Sequence, residues 1–258
     1  MIQSLVLITG SSIPSSVEII AYVYLAIGFA CALYIIYDIW VRRHYQMMSI
    51  MNVVWPITAW YLGPLALWSY WHIGHPSTKN QREIGTQGMD HMSKLPSSRH
   101  IISTHNDNRG GKPFWETIFV SATHCGAGCT LGDIVSEWVV FNAGTTIAGI
   151  MLFASYVFDF ALAWCLGIIF QYLAIVQMRL ISFETALKEA IKADTLSLVM
   201  FEIDVFGWMA LVAFVLIGNL YPVSPVFWFM MQIGMVLGFF TSYPANWWLV
   251  KKGIKQGM

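Results

Sequence analysis

Two cysteines four residues apart, Cys125 and Cys129, stand in an apolar stretch directly after His124 and ahead of Asp133. Positions i and i+4 share one face of a helix, so both thiols point the same way. Asp133 and Glu137 prolong that slowly drifting stripe. Thiolate, imidazole and thioether donors select Cu(I), Zn(II) or iron-sulfur species over hard cations such as Mg(II) or Ca(II). Two thiols at this spacing grip an ion from one side, with His124 or a methionine such as Met235 supplying a third bond. His124 lies about a third of a turn from Cys125, so it converges only if the helix is distorted or a neighbour completes the set. Gly126 and Gly128 strip side chains from the intervening turn, which permits a kink, close helix packing or backbone approach by a ligand. The pattern is neither a Cys-x-x-Cys redox pair nor a closed four-thiolate zinc site, and a disulfide between these positions is disfavoured on a regular helix.

The elements that must hold these residues follow from composition. The chain has 258 residues, of which 57% are hydrophobic and 11% charged, with a mean hydropathy of +0.61. That balance excludes a soluble domain and indicates an all-α, polytopic membrane protein. A net charge of zero and the absence of a basic block argue against nucleic acid. The N-terminus lacks the basic stretch and cleavage site of a signal peptide, so the first apolar helix is expected to be retained. About six transmembrane helices are expected, at roughly 17–41, 50–73, 114–141, 147–177, 196–218 and 225–250, each with the ~20 apolar residues a bilayer requires. Pro56 and Pro64 predict a kink in the second. A polar loop occupies about 74–113, and good helix formers with mixed charge predict an interfacial helix at about 183–194. The chain reads as a single transmembrane domain over 1–258.

Threading six spans places twelve basic residues on one side and only Arg42 and Arg43 on the other. The rule that basic loops stay inside makes the richer side cytoplasmic, with both termini there. The Arg42-Arg43 pair is the dissent: it fits a re-entrant first or second segment and an amino terminus outside. Trp247-Trp248, just before Lys251, read as interface anchors.

At ~1.5 Å per residue from Phe114, Cys125 is roughly 16 Å into its helix and Cys129 about 6 Å further, near the midplane. Asp159, Glu202 and Asp204 reach similar depth, and an acid there faces a cavity or a partner rather than lipid. They and Asp133 are candidates for an ion or proton pathway. Asp159 has a blander reading, as an acceptor for Tyr156 or Trp164. Cys31 and Cys165, each alone in an apolar run, are read as small packing residues. His72, His75, His91, His100 and His105 are read as solvated.

The run His124-Cys125-Gly126-Ala127-Gly128-Cys129-Thr130-Leu131-Gly132-Asp133 stands alongside Phe170-Gln171-Tyr172, Lys192-Ala193-Asp194, Phe227-Trp228-Phe229-Met230-Met231-Gln232 and Pro244-Ala245-Asn246-Trp247-Trp248-Leu249. Together these segments resemble a prokaryotic membrane-protein family catalogued as a domain of unknown function, the DUF4396 type. The likeness extends from about Val54 to Met258. It implies a multi-helix protein of the prokaryotic inner membrane, whose signature helix is the one carrying the thiols, and a loose association with copper-handling proteins.

The expected function is a transporter or permease for a soft transition metal, Cu(I) first and zinc or iron as further candidates, with Cys125 and Cys129 as central ligands. A carrier is favoured over an enzyme. Two other classes stay open: a membrane redox enzyme using the same thiols with a metal, haem or quinone, and an assembly factor or subunit that holds a metal for a partner protein. Homo-oligomerisation is open as well.

Overall fold

The structure, a computed structural model, describes residues 13–46, 48–75, 113–178 and 181–255. The fold is helical throughout the described residues, with one isolated bridge between Ile147 and Ile150. Helix α1 (Ser15–Ile36) passes into a π-helical turn, Tyr37–Val41. Two short helices follow, α2 (Met51–Leu62) and α3 (Pro64–Ser69), the second again ending in a π-helical turn, Tyr70–Gly74. Four long helices complete the described chain: α4 (Phe114–Ala143), α5 (Met151–Met178), α6 (Phe183–Leu211, widened into a last π turn at Val212–Leu216) and α7 (Pro225–Lys251). Local chemistry sets several ends. Ser182 and Ser224 accept the backbone N–H of Thr185 and Val226 at the starts of α6 and α7. Gly144, at φ 63°, closes α4 in the left-handed conformation that glycine adopts without strain.

Among the described residues five helices are long and apolar enough to cross a membrane: Ser15–Val41, α4, α5, α6 with its π turn, and α7. The expected second span, 50–73, is not one. Gly63 has φ 54° and ψ −126°, and Pro64 starts a new helix without a backbone N–H to continue the old one. The chain doubles back there. In a straight helix Trp55 and Gly74 would be about 28 Å apart, yet a methyl group on Gly74 would lie 2.5 Å from the Trp55 ring. The Trp55 and Tyr70 ring centroids are 5.6 Å apart. Helices α2 and α3 therefore form a re-entrant hairpin with its tip at Gly63.

The hairpin changes the topology. Its tip lies level with the first half of α1, where the Tyr24 hydroxyl donates to the Tyr61 carbonyl at 3.1 Å. Its ends lie level with Asp38, which accepts the Tyr70 hydroxyl at 2.8 Å. Both ends of the hairpin, the start of α4, the end of α5, the start of α6 and the end of α7 share one face of the bundle. The Ser49 backbone N–H donating to Gln177 Oε1 at 2.6 Å and the Tyr243 hydroxyl donating to the Trp115 carbonyl at 2.9 Å tie them together. Every described Lys and Arg sits toward that face, Arg42 and Arg43 included. Among the described residues there are thus five candidate crossings, with the hairpin where a sixth was expected, and Ile13 and Lys255 lie toward opposite faces of the bundle. The segment 183–194, expected as a separate interfacial helix, is the opening of α6 itself. Most of the polar loop expected at 74–113, with His91, His100 and His105, lies outside the described residues.

Helix α4 is the axis of the bundle: 78% of its most apolar stretch is buried, against 28–56% in the other four spans. Its glycines make this possible. A methyl group on Gly128 would lie 2.7 Å from Gly167 Cα, and one on Gly132 would lie 2.5 Å from the Ala163 backbone nitrogen. The backbones of α4 and α5 thus touch without intervening side chains, the small-residue packing that lets membrane helices associate where burial from water offers no driving force. Gly132→Val should force the helices apart and cost about 3 kcal/mol, the upper range for overpacking a tight core. The measurement is an unfolding titration in mixed micelles; stability equal to wild type would refute the contact.

Candidate functional site: a buried thiol and carboxyl file

The stripe on α4 folds into the interior as a file of polar groups. Cys125 and Cys129 are buried and unoxidised. Over them stands the hairpin: the Tyr61 hydroxyl reaches to 2.6 Å from where a methyl group on Gly126 would be, so only glycine leaves room for it. That hydroxyl neighbours Thr58 and lies within electrostatic reach of both thiols. From α6, Glu202 points to Cys129 and Cys125; it is 1% exposed, and its carboxyl stands against the Cys129 thiol, which can donate to it. Asp133, one turn beyond Cys129, is fully buried with neither oxygen hydrogen-bonded, and it faces Glu202 and Glu137.

Further along the file, Asp159 of α5 accepts the Ser136 hydroxyl on one oxygen, the other being unpartnered. Glu137 accepts the Ser155 hydroxyl at 2.9 Å. Glu137 and Ser155 then line a cavity of about 370 Å³ under the 146–152 and 218–222 connections, where Thr146, Asn219 and Tyr221 add polar groups. The file therefore runs from the bundle centre to a cavity on the face opposite the basic one. Among the described residues, no Lys, Arg or His pairs with any of these four carboxyl groups. Buried anions without a partner are costly. The arrangement is stable only with protons or a cation in it.

The other expected site residues divide. Met235 is buried beside the file, its sulfur 3.7 Å from the Thr130 hydroxyl. Asp204 is not part of the file: it is half-buried and accepts the Thr241 hydroxyl. Glu202, expected in the first turns of its span, is instead in the middle of α6, because that helix begins at Phe183. Asp159 takes nothing from Tyr156 or Trp164, which donate to the Phe206 carbonyl and to Thr195.

His124 does not join the thiols. Its Nδ1–H donates to the Val120 carbonyl at 3.0 Å, as on a regular helix. No three-donor group within 4.8 Å forms from His124 and the two cysteines. The imidazole belongs to a separate cluster toward the basic face, built around Lys255. The Lys255 ammonium is fully buried and donates to Asn246 Oδ1 at 2.8 Å, with Asp194 Oδ1 at 3.4 Å and the Ser121 carbonyl at 3.5 Å. Asn246 in turn donates to Ser197 at 2.6 Å. Sequence reasoning missed this cluster because Lys255 reads as one more basic residue after a span. Asp194 and Asn246 did stand in the segments that carried the family resemblance, but nothing in their spacing linked them.

No curated protein and no solved structure matches the chain. One family model does, described as "Domain of unknown function (DUF4396)", over residues 114–255. That stretch runs from the start of α4 past the end of α7 and holds both thiols, the carboxyl file and the Lys255 cluster, whereas α1 and the hairpin lie outside it. Because the match spans more than half of the chain, this multi-pass helical membrane protein belongs to the DUF4396 family.

Proposed function

We propose that this protein is a transporter of the prokaryotic inner membrane for a soft metal cation, Cu(I) first, with its basic, C-terminal face in the cytoplasm. The observation that carries the reading is the file itself: two adjacent thiols at the bundle centre continued by Asp133, Glu202, Asp159 and Glu137 to a cavity on the opposite face. Thiols select a soft ion, and binding releases their protons. Carboxyl groups without fixed counter-ions can take those protons or stand against the charge of the ion. A hairpin that ends in the membrane interior, above a central site, is the kind of interrupted element that transporters use there. The basic residues at the hairpin ends and on α6 and α7 support the orientation, with the amino-terminal end of α1 outside.

The test is uptake into proteoliposomes under anaerobic, reducing conditions, with Cu(I), Zn(II) and Na(I) offered separately and internal pH followed by a dye. Wild type should accumulate Cu(I) with a pH change, and Cys129→Ser should lose at least about tenfold in rate, the effect of ~1.4 kcal/mol at the barrier. Equal Cu(I) uptake in wild type and Cys129→Ser refutes the reading. Stoichiometric binding without uptake turns the site into a store for a partner.

A further inference from the structure

At the basic end of α1 a second group of donors meets, none of which the thiol file uses. Asp38, His44 and His75 each offer one ligand atom, and these atoms lie within 4.8 Å of one another. Asp38 is fully buried, in the π turn that ends α1; His75 follows the π turn that ends α3. Two π turns facing each other are unusual, since such turns are rare and gather at functional sites. His75 is not solvated as its sequence context suggested: it is half-buried, stacked on Trp71 at 4.2 Å, and its Nε2 is buried with no hydrogen-bond partner.

From these contacts we infer that Asp38, His44 and His75 form a binding site for a divalent first-row metal ion of the zinc type, which clasps the exit of the hairpin to the end of α1. His44 Nδ1 is 3.1 Å from Asp38 Oδ2, and His75 Nε2 is 3.5 Å from the same atom. Bonds of 2.0–2.1 Å in a tetrahedral site put ligand atoms about 3.4 Å apart, so each histidine already stands close to the required spacing from Asp38, and the two imidazole nitrogens lie within 4.8 Å of each other. Two imidazoles and a carboxylate with one open position match zinc sites, and the set contains no thiol to favour Cu(I).

The surroundings fit. The Tyr70 hydroxyl donates to Asp38 Oδ2 at 2.8 Å and orients the carboxylate. The charged and titratable groups facing Asp38 are Arg42, His44, His75 and Tyr70. Arg42, whose Nη1 lies 3.3 Å from Asp38 Oδ1, has a side chain 50% exposed and can swing into water as the ion enters. Trp71, stacked on His75, also meets Tyr34, and Trp40 packs on Tyr45, which follows His44 directly; such aromatic residues are expected at headgroup level, where ions have access.

The inference does not rest on the transport reading, and the test keeps them apart. The full chain carrying Cys125→Ser and Cys129→Ser is purified in detergent, stripped with chelator and titrated with Zn(II) against a chromophoric indicator. It should bind one zinc, and Co(II) in its place should give the intense absorption of a tetrahedral site. Adding His44→Ala or His75→Ala should weaken zinc about 100-fold or more and abolish the cobalt band, a ligand loss at least as costly as losing an outer partner. His72→Ala should change nothing, because His72 is exposed and bound to the Trp68 carbonyl. His44 is on an exposed linker, so His44→Ala stays informative if His75→Ala fails to fold. No zinc bound by the chain lacking Cys125 and Cys129, or equal affinity in His44→Ala, overturns the site.

Discussion

Replacing Glu202 by Gln is expected to stop turnover while leaving ion binding nearly intact. The variant keeps the size of the side chain and its place against Cys129, but the amide can neither release nor accept a proton. The Glu202 carboxyl is buried against the Cys129 thiol, and the amide oxygen of Gln can still accept from that thiol, so no neighbouring donor is left stranded by the change. If Glu202 takes the proton displaced from a thiol, Cu(I) uptake falls at least about 30-fold, ~2 kcal/mol at the rate-limiting step. The coupled pH change should vanish with it, and equilibrium binding of Cu(I) should move by less than about threefold, under ~0.7 kcal/mol. Asp133→Asn should behave alike, because the two acids face each other. Wild-type uptake and pH response in both variants would remove the carboxyl file from the mechanism, whatever the thiols do.

Lys255→Met is expected to be the most destabilising single change to the described charges, at about 3–5 kcal/mol, the cost of leaving one member of a buried ion pair alone. Met preserves most of the aliphatic stem, so the loss is chiefly electrostatic. Asp194 Oδ2 already lacks a hydrogen-bond partner, and its carboxyl packs against Gly167, 2.5 Å from where a methyl group there would stand. Without the ammonium that carboxylate has no cation, and Asn246 loses the donor to its Oδ1. The double variant Lys255→Met/Asp194→Asn should recover most of the loss, since removing both charges removes the penalty. Unfolding titrations of the two single variants and the double one make a cycle; strict additivity would mean that the pair does not interact.

The parts of this molecule legible in the sequence are those fixed by local spacing. The i, i+4 stripe of Cys125, Cys129, Asp133 and Glu137 predicted one face of one helix, and that face lines the interior. Four of the six expected spans correspond to long helices within a few residues at each end, and a fifth, α6, was expected 13 residues late because its charged opening reads as interfacial. The hairpin was not legible. Residues 50–73 are as apolar as a true span, and only the contact of Trp55 with Tyr70 and Gly74 shows that the chain returns. Two sequence signals pointed toward it: the kink expected at Pro64, and Arg42 with Arg43, a basic pair on the wrong side of a six-span drawing. The pairing of His44 with His75 across 31 positions, and of Asp194 with Lys255 across 61, depends on which helices are neighbours, and periodicity carries no such information.

The contact of Gly128 with Gly167 has a mechanical consequence. Two helices whose backbones touch along a seam cannot slide or tilt against each other without opening a void or a clash, so α4 and α5 behave as one beam. The thiols, Asp133 and Asp159 ride on that beam at fixed separation. In the proposed transport cycle the element placed to uncover them is the α2–α3 hairpin, which packs on the beam and sets the Tyr61 phenol over Gly126.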